Sequence, residues 1–331
     1  MKLNDFQYNL PQKLIAQFPT KDRATARMLV LDRETGELTH SSFNHITHFV
    51  QKDDVFVLNN TKVFKARLIG HKSTGGKVEV LLIRRIDSRS WEAMISHAKR
   101  IHEQTVVKFT DIICATIEKK ISGAKVILKF NQDSDEIIQK HGLVPLPHYI
   151  KRELVADDEN TYQTTFAKDN GSIAAPTAGL HFTDALLKDI QSAGAKVTEL
   201  TLHIGPGTFK PIRTEHVEEH QMDAEFYEIS ESTLTEIKRA KRVFAVGTSV
   251  CRALENYART RNMNGWADLF IYPGYEFQMI DCLVTNFHLP GSTPLLLVCS
   301  FAGKDMIFNA YREAIEKEYR FLSYGDGMLI I

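Results

Sequence analysis

Between about residues 63 and 130 the apolar residues recur at every second position, and no other feature narrows the possible folds as much. Segments 64–69, 77–85, 91–96, 105–109, 112–119 and 125–130 each read as a strand, separated by Ser-Thr-Gly-Gly, Asp-Ser-Arg-Ser and Ser-Gly turn signals. Six short strands with no helix between them predict a small antiparallel β-barrel. On both sides of this stretch, strands and helices alternate, which predicts α/β organisation. The expected architecture is a discontinuous α/β domain, residues 1–61 and 148–331, carrying an inserted all-β barrel domain at 62–147.

Composition sets the class. The 331 residues are 43% hydrophobic and 25% charged, values of an ordinary soluble globular protein long enough for two cores. No apolar run reaches transmembrane length and the N-terminus has no secretory apolar segment, so a cytoplasmic location without a membrane is expected. Cys114, Cys251, Cys282 and Cys299 form no C-x-x-C pair and read as buried free thiols in a reducing compartment. Net charge is zero, yet residues 62–130 hold 15 Lys/Arg against 6 Asp/Glu, leaving the remainder acidic by the same margin. A basic module on an acidic body suits a polyanion-binding enzyme, although a merely solvated basic face would have the same composition. The strand pattern puts Lys77, Arg84, Lys119, Lys125 and Lys129 on outer positions.

Elsewhere the pattern predicts a short helix at 12–17, a strand at 28–32, a helix through Ile46, Phe49 and Val50, and a strand at 55–58. After the two-proline passage 142–147, a helix at 184–193 is capped by Thr183 and closed by Gly194. Strands follow at 196–204, 243–246, 268–271 and 295–301, with helices at 232–241, from Ser249, and through Tyr311 and Ile315.

Chemistry points to the loops. The stretch 171–183 runs through small residues and Pro176 to Thr177, Gly179, His181 and Phe182, and ends at a helix start, where free N–H groups favour a negative group. The 196–204 strand delivers His203 into Gly205-Pro206-Gly207-Thr208, whose glycines allow close backbone approach to a ligand. No strand-to-helix G-x-G-x-x-G occurs, so nicotinamide and Rossmann-methyltransferase readings lose weight. Gly247-Thr248-Ser249 opens a helix whose first turns carry Arg252, an arrangement suited to a carboxylate or phosphate. Asn286 and His288 would share a face if their strand continues, and Asp326 lies between two glycines near the C-terminus. Asn59 and Asn60 form an amide-rich loop. Each histidine alone more often serves a core; three of them in Gly- or Pro-rich loops favour a pocket. His216-Val217-Glu218-Glu219-His220 fits H-x-x-E-H, but a short solvated helix explains it more simply than zinc does, so no metal is expected.

With these loops assembled, the chain resembles the S-adenosylmethionine:tRNA ribosyltransferase-isomerase family of queuosine synthesis over essentially its whole length. The resemblance rests on Phe6-Gln7-Tyr8-Asn9-Leu10-Pro11, Asn59-Asn60-Thr61, Ala66-Arg67-Leu68, the 171–183 loop, the 201–209 loop, Ala245-Val246-Gly247-Thr248, Thr285-Asn286-Phe287-His288-Leu289-Pro290 and the segment 319–326. It implies an α/β domain with a barrel-like sheet, into which a small barrel is inserted. It also implies transfer and isomerisation of the ribosyl group of S-adenosylmethionine onto a 7-aminomethyl-7-deazaguanine at the tRNA wobble position, releasing adenine and methionine. S-Adenosylmethionine is then a substrate, no further cofactor is needed, tRNA is the partner, and a monomer without an obligate protein partner is expected. His181 or His203 would be the base, with His288 and Asp326 also catalytic candidates. Asn286 and His288 would hold adenine or ribose, and Thr177, Gly179, Phe182, Gly205, Gly207, Thr208, Asn59 and Asn60 would line the substrate. Gly247, Thr248 and Arg252 would take the methionine carboxylate, while Lys62, Arg67, Lys77, Arg84 and Arg85 would meet tRNA.

The chain departs from the family pattern at Lys62 (usually Arg), Ala26-Arg27-Met28 (Ser-Arg-Leu), Leu146-Pro147-His148-Tyr149 (two prolines), Met222-Asp223 (Met-His) and Ser249-Val250-Cys251 (Thr-Ser-Val). A paralogue acting on another acceptor, or a non-catalytic tRNA-binding protein, are the alternatives.

Overall fold

The computed structural model describes residues 1–209 and 211–331, in two compact units. The larger comprises Met1–Lys62, Pro147–Asp169 and Ala175–Ile331; the smaller comprises Val63–Leu146 and Asn170–Ala174. The stretch 171–183 is thus divided between them, which no pattern in the sequence signals.

In the larger unit a nine-stranded sheet runs in the order Asn264–Ala267, Glu225–Glu228, Lys196–Leu202, Val55–Asn59, Val243–Val246, Cys282–Asn286, Gly327–Ile330, Arg27–Leu31, Leu38–Ser42. The four strands from Lys196–Leu202 to Cys282–Asn286 are parallel. All residues of the 55–59, 243–246 and 282–286 strands are buried, which is why they read as continuous apolar runs. Alternation sends Phe56, Leu58, Phe244, Val246, Cys282 and Val284 to one core, shared with Phe43, Phe182, Leu186 and Ile190. Phe56 and Phe244 stack there at 4.4 Å between centroids. Leu186 and Ile190 come from the helix Asp184–Ser192, whose start is capped as expected, Thr183 Oγ1 accepting the Leu186 N–H at 3.2 Å.

Within this four-stranded parallel block, the strand earliest in the chain, 55–59, has the 196–202 strand on one side and the 243–246 strand on the other. The connections diverge at this point, and a crevice opens at the carboxyl ends of such strands.

Several elements differ from the sequence expectation. Residues 295–301 lie in a helix, Thr293–Ala302, started by Ser292 and Pro294; its almost uniformly buried apolar run carries no period to distinguish helix from strand. The expected 268–271 strand is instead Asn264–Ala267, paired antiparallel with Glu225–Glu228. Strand Leu38–Ser42, largely polar and at the sheet edge, gave no apolar alternation. Residues 43–49 form a 3₁₀ helix, and the 12–17 helix shrinks to one 3₁₀ turn, Gln12–Leu14. His216 and His220 flank a single 3₁₀ turn, Val217–Glu219, and no group of three metal-ligating side chains occurs among the described residues. Cys251, Cys282 and Cys299 are buried, whereas Cys114 is only partly so.

The smaller unit is a closed barrel in the order Lys125–Phe130, Ser90–Ile95, Lys77–Arg85, Arg67–Lys72, Val106–Lys108, Cys114–Ser122. Leu68, Val80, Leu82, Ala93, Ile117, Val126 and Leu128 fill its interior. Trp91 donates its indole N–H to Ser134 at 2.9 Å, at the start of the helix Ser134–His141. No described helix is long and apolar enough to cross a membrane.

Candidate active site at the carboxyl edge of the sheet

Three of the four parallel strands end in the polar loops singled out from sequence, and the fourth ends in Asn286 itself. The loop after 55–59 is an internal brace. Asn59 accepts the N–H groups of Thr61 and Leu202 (3.1 and 3.0 Å) and donates to the Leu202 carbonyl (2.9 Å) and the Ser249 hydroxyl (3.3 Å). It therefore ties three strand ends together, using every donor and acceptor it has. Asn60 accepts from the Thr201 hydroxyl at 2.7 Å and donates to Glu199 at 3.4 Å.

The 196–202 strand stops two residues short of the expected end, and His203 just beyond it keeps one backbone bond, its N–H donating to the Phe226 carbonyl at 2.9 Å. His203 is half-buried, and its ring lies beside Phe226 at 5.9 Å between centroids. Its Nδ1 meets the Thr61 hydroxyl at 2.8 Å, and Nε2 has no hydrogen-bond partner among the described residues. Burial pushes its pKa below the ordinary imidazole value, while Asp169 and Glu228 act in the opposite direction.

His181 is in a different situation. It is buried and stacked flat on Phe43, with centroids 3.9 Å apart. Thr177 donates its hydroxyl to Asn286 Oδ1 at 2.8 Å, which turns Nδ2 of Asn286 toward His181 Nε2 at 3.3 Å and the Asp326 carbonyl at 3.4 Å. Nε2 is then the acceptor of the Asn286 amide. Burial, with smaller contributions from the Arg23 and Arg320 charges, lowers the pKa to about 3, so the ring is neutral. Gly179 belongs to the same turn because a Cβ there would stand 2.8 Å from the Phe166 ring.

Asn286 and His288 do not share a face. The strand ends at Asn286, and the His288 ring turns back to the Thr285 hydroxyl at 2.8 Å. The His288 N–H donates to the Tyr311 hydroxyl at 3.0 Å, and its carbonyl accepts from Tyr8. Burial lowers its pKa to about 3. The Asp326 carboxylate accepts the backbone N–H groups of Arg27 (2.9 Å) and Arg320 (2.8 Å), so only its carbonyl reaches Asn286. Burial raises its pKa. Phe182 lies wholly in the core.

Gly247, at φ 101°, starts the helix Thr248–Thr260 without a side-chain cap, a backbone conformation that favours glycine. Ala178 of the His181 turn lies 3.7 Å from where a Gly247 Cβ would stand. Arg252 is buried and ion-paired with Glu225, and its Nε has no partner among the described residues. Glu225 also accepts the Gly205 N–H at 2.8 Å and the Thr208 hydroxyl at 2.9 Å, fixing that turn. Asp223 packs against Gly207, where a Cβ would come within 2.6 Å of its own Cβ. Glu225 and Phe43 are the residues that sequence reasoning missed. Glu225 shares a strand face with the buried Tyr227, and a carboxylate on the inward side of a strand is the signal that could have found it.

The expected tRNA residues differ in their partners. Lys62 and Lys77 are exposed. Arg67 holds Glu79 through two bonds of 2.8 Å, Arg84 holds Glu92 at 3.1 Å and Arg85 holds Asp135 at 3.0 Å.

The chain has relatives among known proteins. Residues 3–330 match the family described as "Queuosine biosynthesis protein". The chain is 46% identical to the S-adenosylmethionine:tRNA ribosyltransferase-isomerase of Halothermothrix orenii and 45% identical to that of Staphylococcus epidermidis, each over the full length of both proteins. The crystal structure of the S-adenosylmethionine tRNA ribosyltransferase from Thermotoga maritima is similar at 34% identity and a TM-score of 0.57, covering 99% of this chain and 100% of that one. The chain belongs to the queuosine biosynthesis protein family, whose matched members are S-adenosylmethionine:tRNA ribosyltransferase-isomerases.

Proposed function

We propose that this enzyme transfers the ribosyl group of S-adenosylmethionine to 7-aminomethyl-7-deazaguanine at the wobble position of tRNA and isomerises it to an epoxycyclopentanediol. Adenine and methionine leave, and the tRNA carries epoxyqueuosine. The full-length similarity to ribosyltransferase-isomerases carries this reading. The polar loops on adjoining strand ends support it.

A sulfonium acidifies the neighbouring ribose carbon, and a positioned imidazole can remove that proton. His203 is the better base of the two histidines. Its Nε2 is unengaged among the described residues, and nearby carboxylates offset part of its desolvation. His181, neutral and with Nε2 engaged by Asn286, positions that amide beside the purine or ribose. The N–H groups that Gly247 leaves uncapped at the start of the 248–260 helix take the methionine carboxylate, and Arg252 supports them through Glu225 instead of meeting the anion directly. Thr177, Gly205, Gly207 and Thr208 line the substrate. S-Adenosylmethionine is the only small molecule required, and the enzyme acts in the cytoplasm as a monomer.

Adenine release from S-adenosylmethionine, followed with and without tRNA bearing the deazaguanine precursor, tests the reading. Release is expected only with that tRNA. Release with a different acceptor would favour the paralogue. No release with precursor tRNA, despite intact folding, would overturn the assignment.

A further inference from the structure

The outer wall of the barrel carries cations of two kinds. Arg84 and Lys125 both face Glu92, Lys129 lies 3.1 Å from Glu118, Arg67 grips Glu79 and Arg85 grips Asp135. These charges are committed to the barrel itself. A second group is not. The antiparallel register sets His71 directly opposite Lys77 on one side and directly opposite Lys108 on the other. All three side chains are exposed, and among the described residues none makes a side-chain hydrogen bond or ion pair. The carboxylate nearest along the strand, Glu79, is held by both of its bonds to Arg67.

Adjacent strands lie about 4.8 Å apart, so this row crosses roughly 10 Å of the wall. Two lysines set on either side of an imidazole gain no favourable cross-strand charge pair from this register. Two flexible ammonium groups flanking an imidazole, which keeps a ring N–H in either protonation state, can engage successive phosphates of one nucleic-acid strand. We infer that the Lys77–His71–Lys108 row is a phosphate-contacting surface for the tRNA substrate. This inference rests on the proposed tRNA-modifying function. It separates contact residues from the arginines of the same wall, whose charges are already neutralised.

The test compares the full chain with K77Q/K108Q, H71E and K129Q, measuring tRNA affinity against salt and adenine release against tRNA concentration. Each lost phosphate contact is worth roughly fivefold in affinity at 0.15 M salt, so K77Q/K108Q should bind roughly ten- to thirtyfold more weakly. The slope of log affinity against log salt should fall by about 2. H71E puts a carboxylate opposite both lysines. It should weaken tRNA binding similarly while leaving the melting temperature unchanged or higher, a combination that structural damage would not produce. K129Q should shift affinity less than about twofold, since Lys129 is already paired. The KM for S-adenosylmethionine should not move in any variant. Wild-type affinity and salt slope in K77Q/K108Q, or equal weakening in K129Q, would overturn the inference while leaving the enzyme's function standing. A wild-type protein that neither binds tRNA nor releases adenine would overturn both.

Discussion

The carboxyl edge of the sheet and the outer wall of the barrel handle polar groups in opposite ways. At the sheet edge, Asn59, Asn286, Glu225, His181 and Asp326 are buried, and each is held by two or more partners or locked against a ring, while the buried Arg252 is ion-paired with Glu225. On the barrel wall, charges of the same types are more exposed and pair across neighbouring strands. Buried groups are costly to leave unsatisfied, so at the edge each side chain fixes the position of the next. Exposed pairs are screened and contribute little, so the wall can spare a row of unpaired cations for a partner. The first region is built for position, the second for charge.

This difference can be broken most sharply at His203. His203→Ala should lower kcat by roughly 10²–10⁴-fold if His203 is the base, while stability changes by no more than about 1 kcal/mol because the ring is half-exposed. His181→Ala should instead destabilise by about 2–4 kcal/mol, since it empties a buried ring site stacked on Phe43. Steady-state kinetics with denaturant titrations would separate the two. Full activity in His203→Ala would remove the base assignment. Because burial lowers the pKa of His203, the acid limb of kcat/KM should fall below pH 6.5.

Glu225 is next in size. Glu225→Ala leaves Arg252 buried without its partner and should cost about 3–5 kcal/mol. Glu225→Gln keeps an acceptor for Gly205 and Thr208 and should cost less, while raising the KM for S-adenosylmethionine more than it lowers kcat. An unchanged KM in a folded Glu225→Gln protein would show that this turn does not touch the substrate.

Much of this contrast was legible in the sequence, because alternation and turn chemistry are local. The barrel strands 77–85 and 125–130, the buried strand 243–246 and the Thr183 cap all follow from nearest-neighbour patterns. Partners across the sheet were not legible. Nothing within ten residues of Arg252 announces Glu225, and Asn286 meets His181 across 105 positions of chain. The His288 expectation failed for the same reason. Extending a strand by period two is sound only while the ladder continues, and this one ends at Asn286. Charge counting located the basic module, but only register distinguishes Arg84, paired with Glu92, from Lys77, which faces His71.

Stability against pH sharpens the comparison at intermediate magnitude. His181 has a folded pKa of about 3 against an ordinary 6.5, so between these values the unfolded chain binds the extra proton. Its contribution is fully present above pH 6.5 and is lost as the pH falls toward 3, amounting to a few kcal/mol at most. Asp326, raised by burial, acts in the opposite sense, so the informative quantity is the difference between wild type and His181→Gln. That difference should shrink steadily below pH 6.5 in urea melts. A pH-independent difference would mean that the ring titrates freely in the folded protein.

The smallest expected effect lies on the wall. Glu92 receives Arg84 at 3.1 Å and Lys125 at 3.8 Å, with the Arg84 side chain about half exposed. Glu92→Gln should therefore cost about 1 kcal/mol or less, and the cost should fade in 1 M salt, where the Debye length is about 3 Å. The same substitution also removes one partner from two cations outside the Lys77–His71–Lys108 row. If charge alone governed tRNA binding, Glu92→Gln would tighten it as strongly as Lys77→Gln weakens it. If the row is the contact, affinity should change by less than about twofold while the small loss of stability remains. Equal and opposite shifts in the two variants would make the wall a diffuse electrostatic surface and dissolve the distinction between paired and unpaired cations.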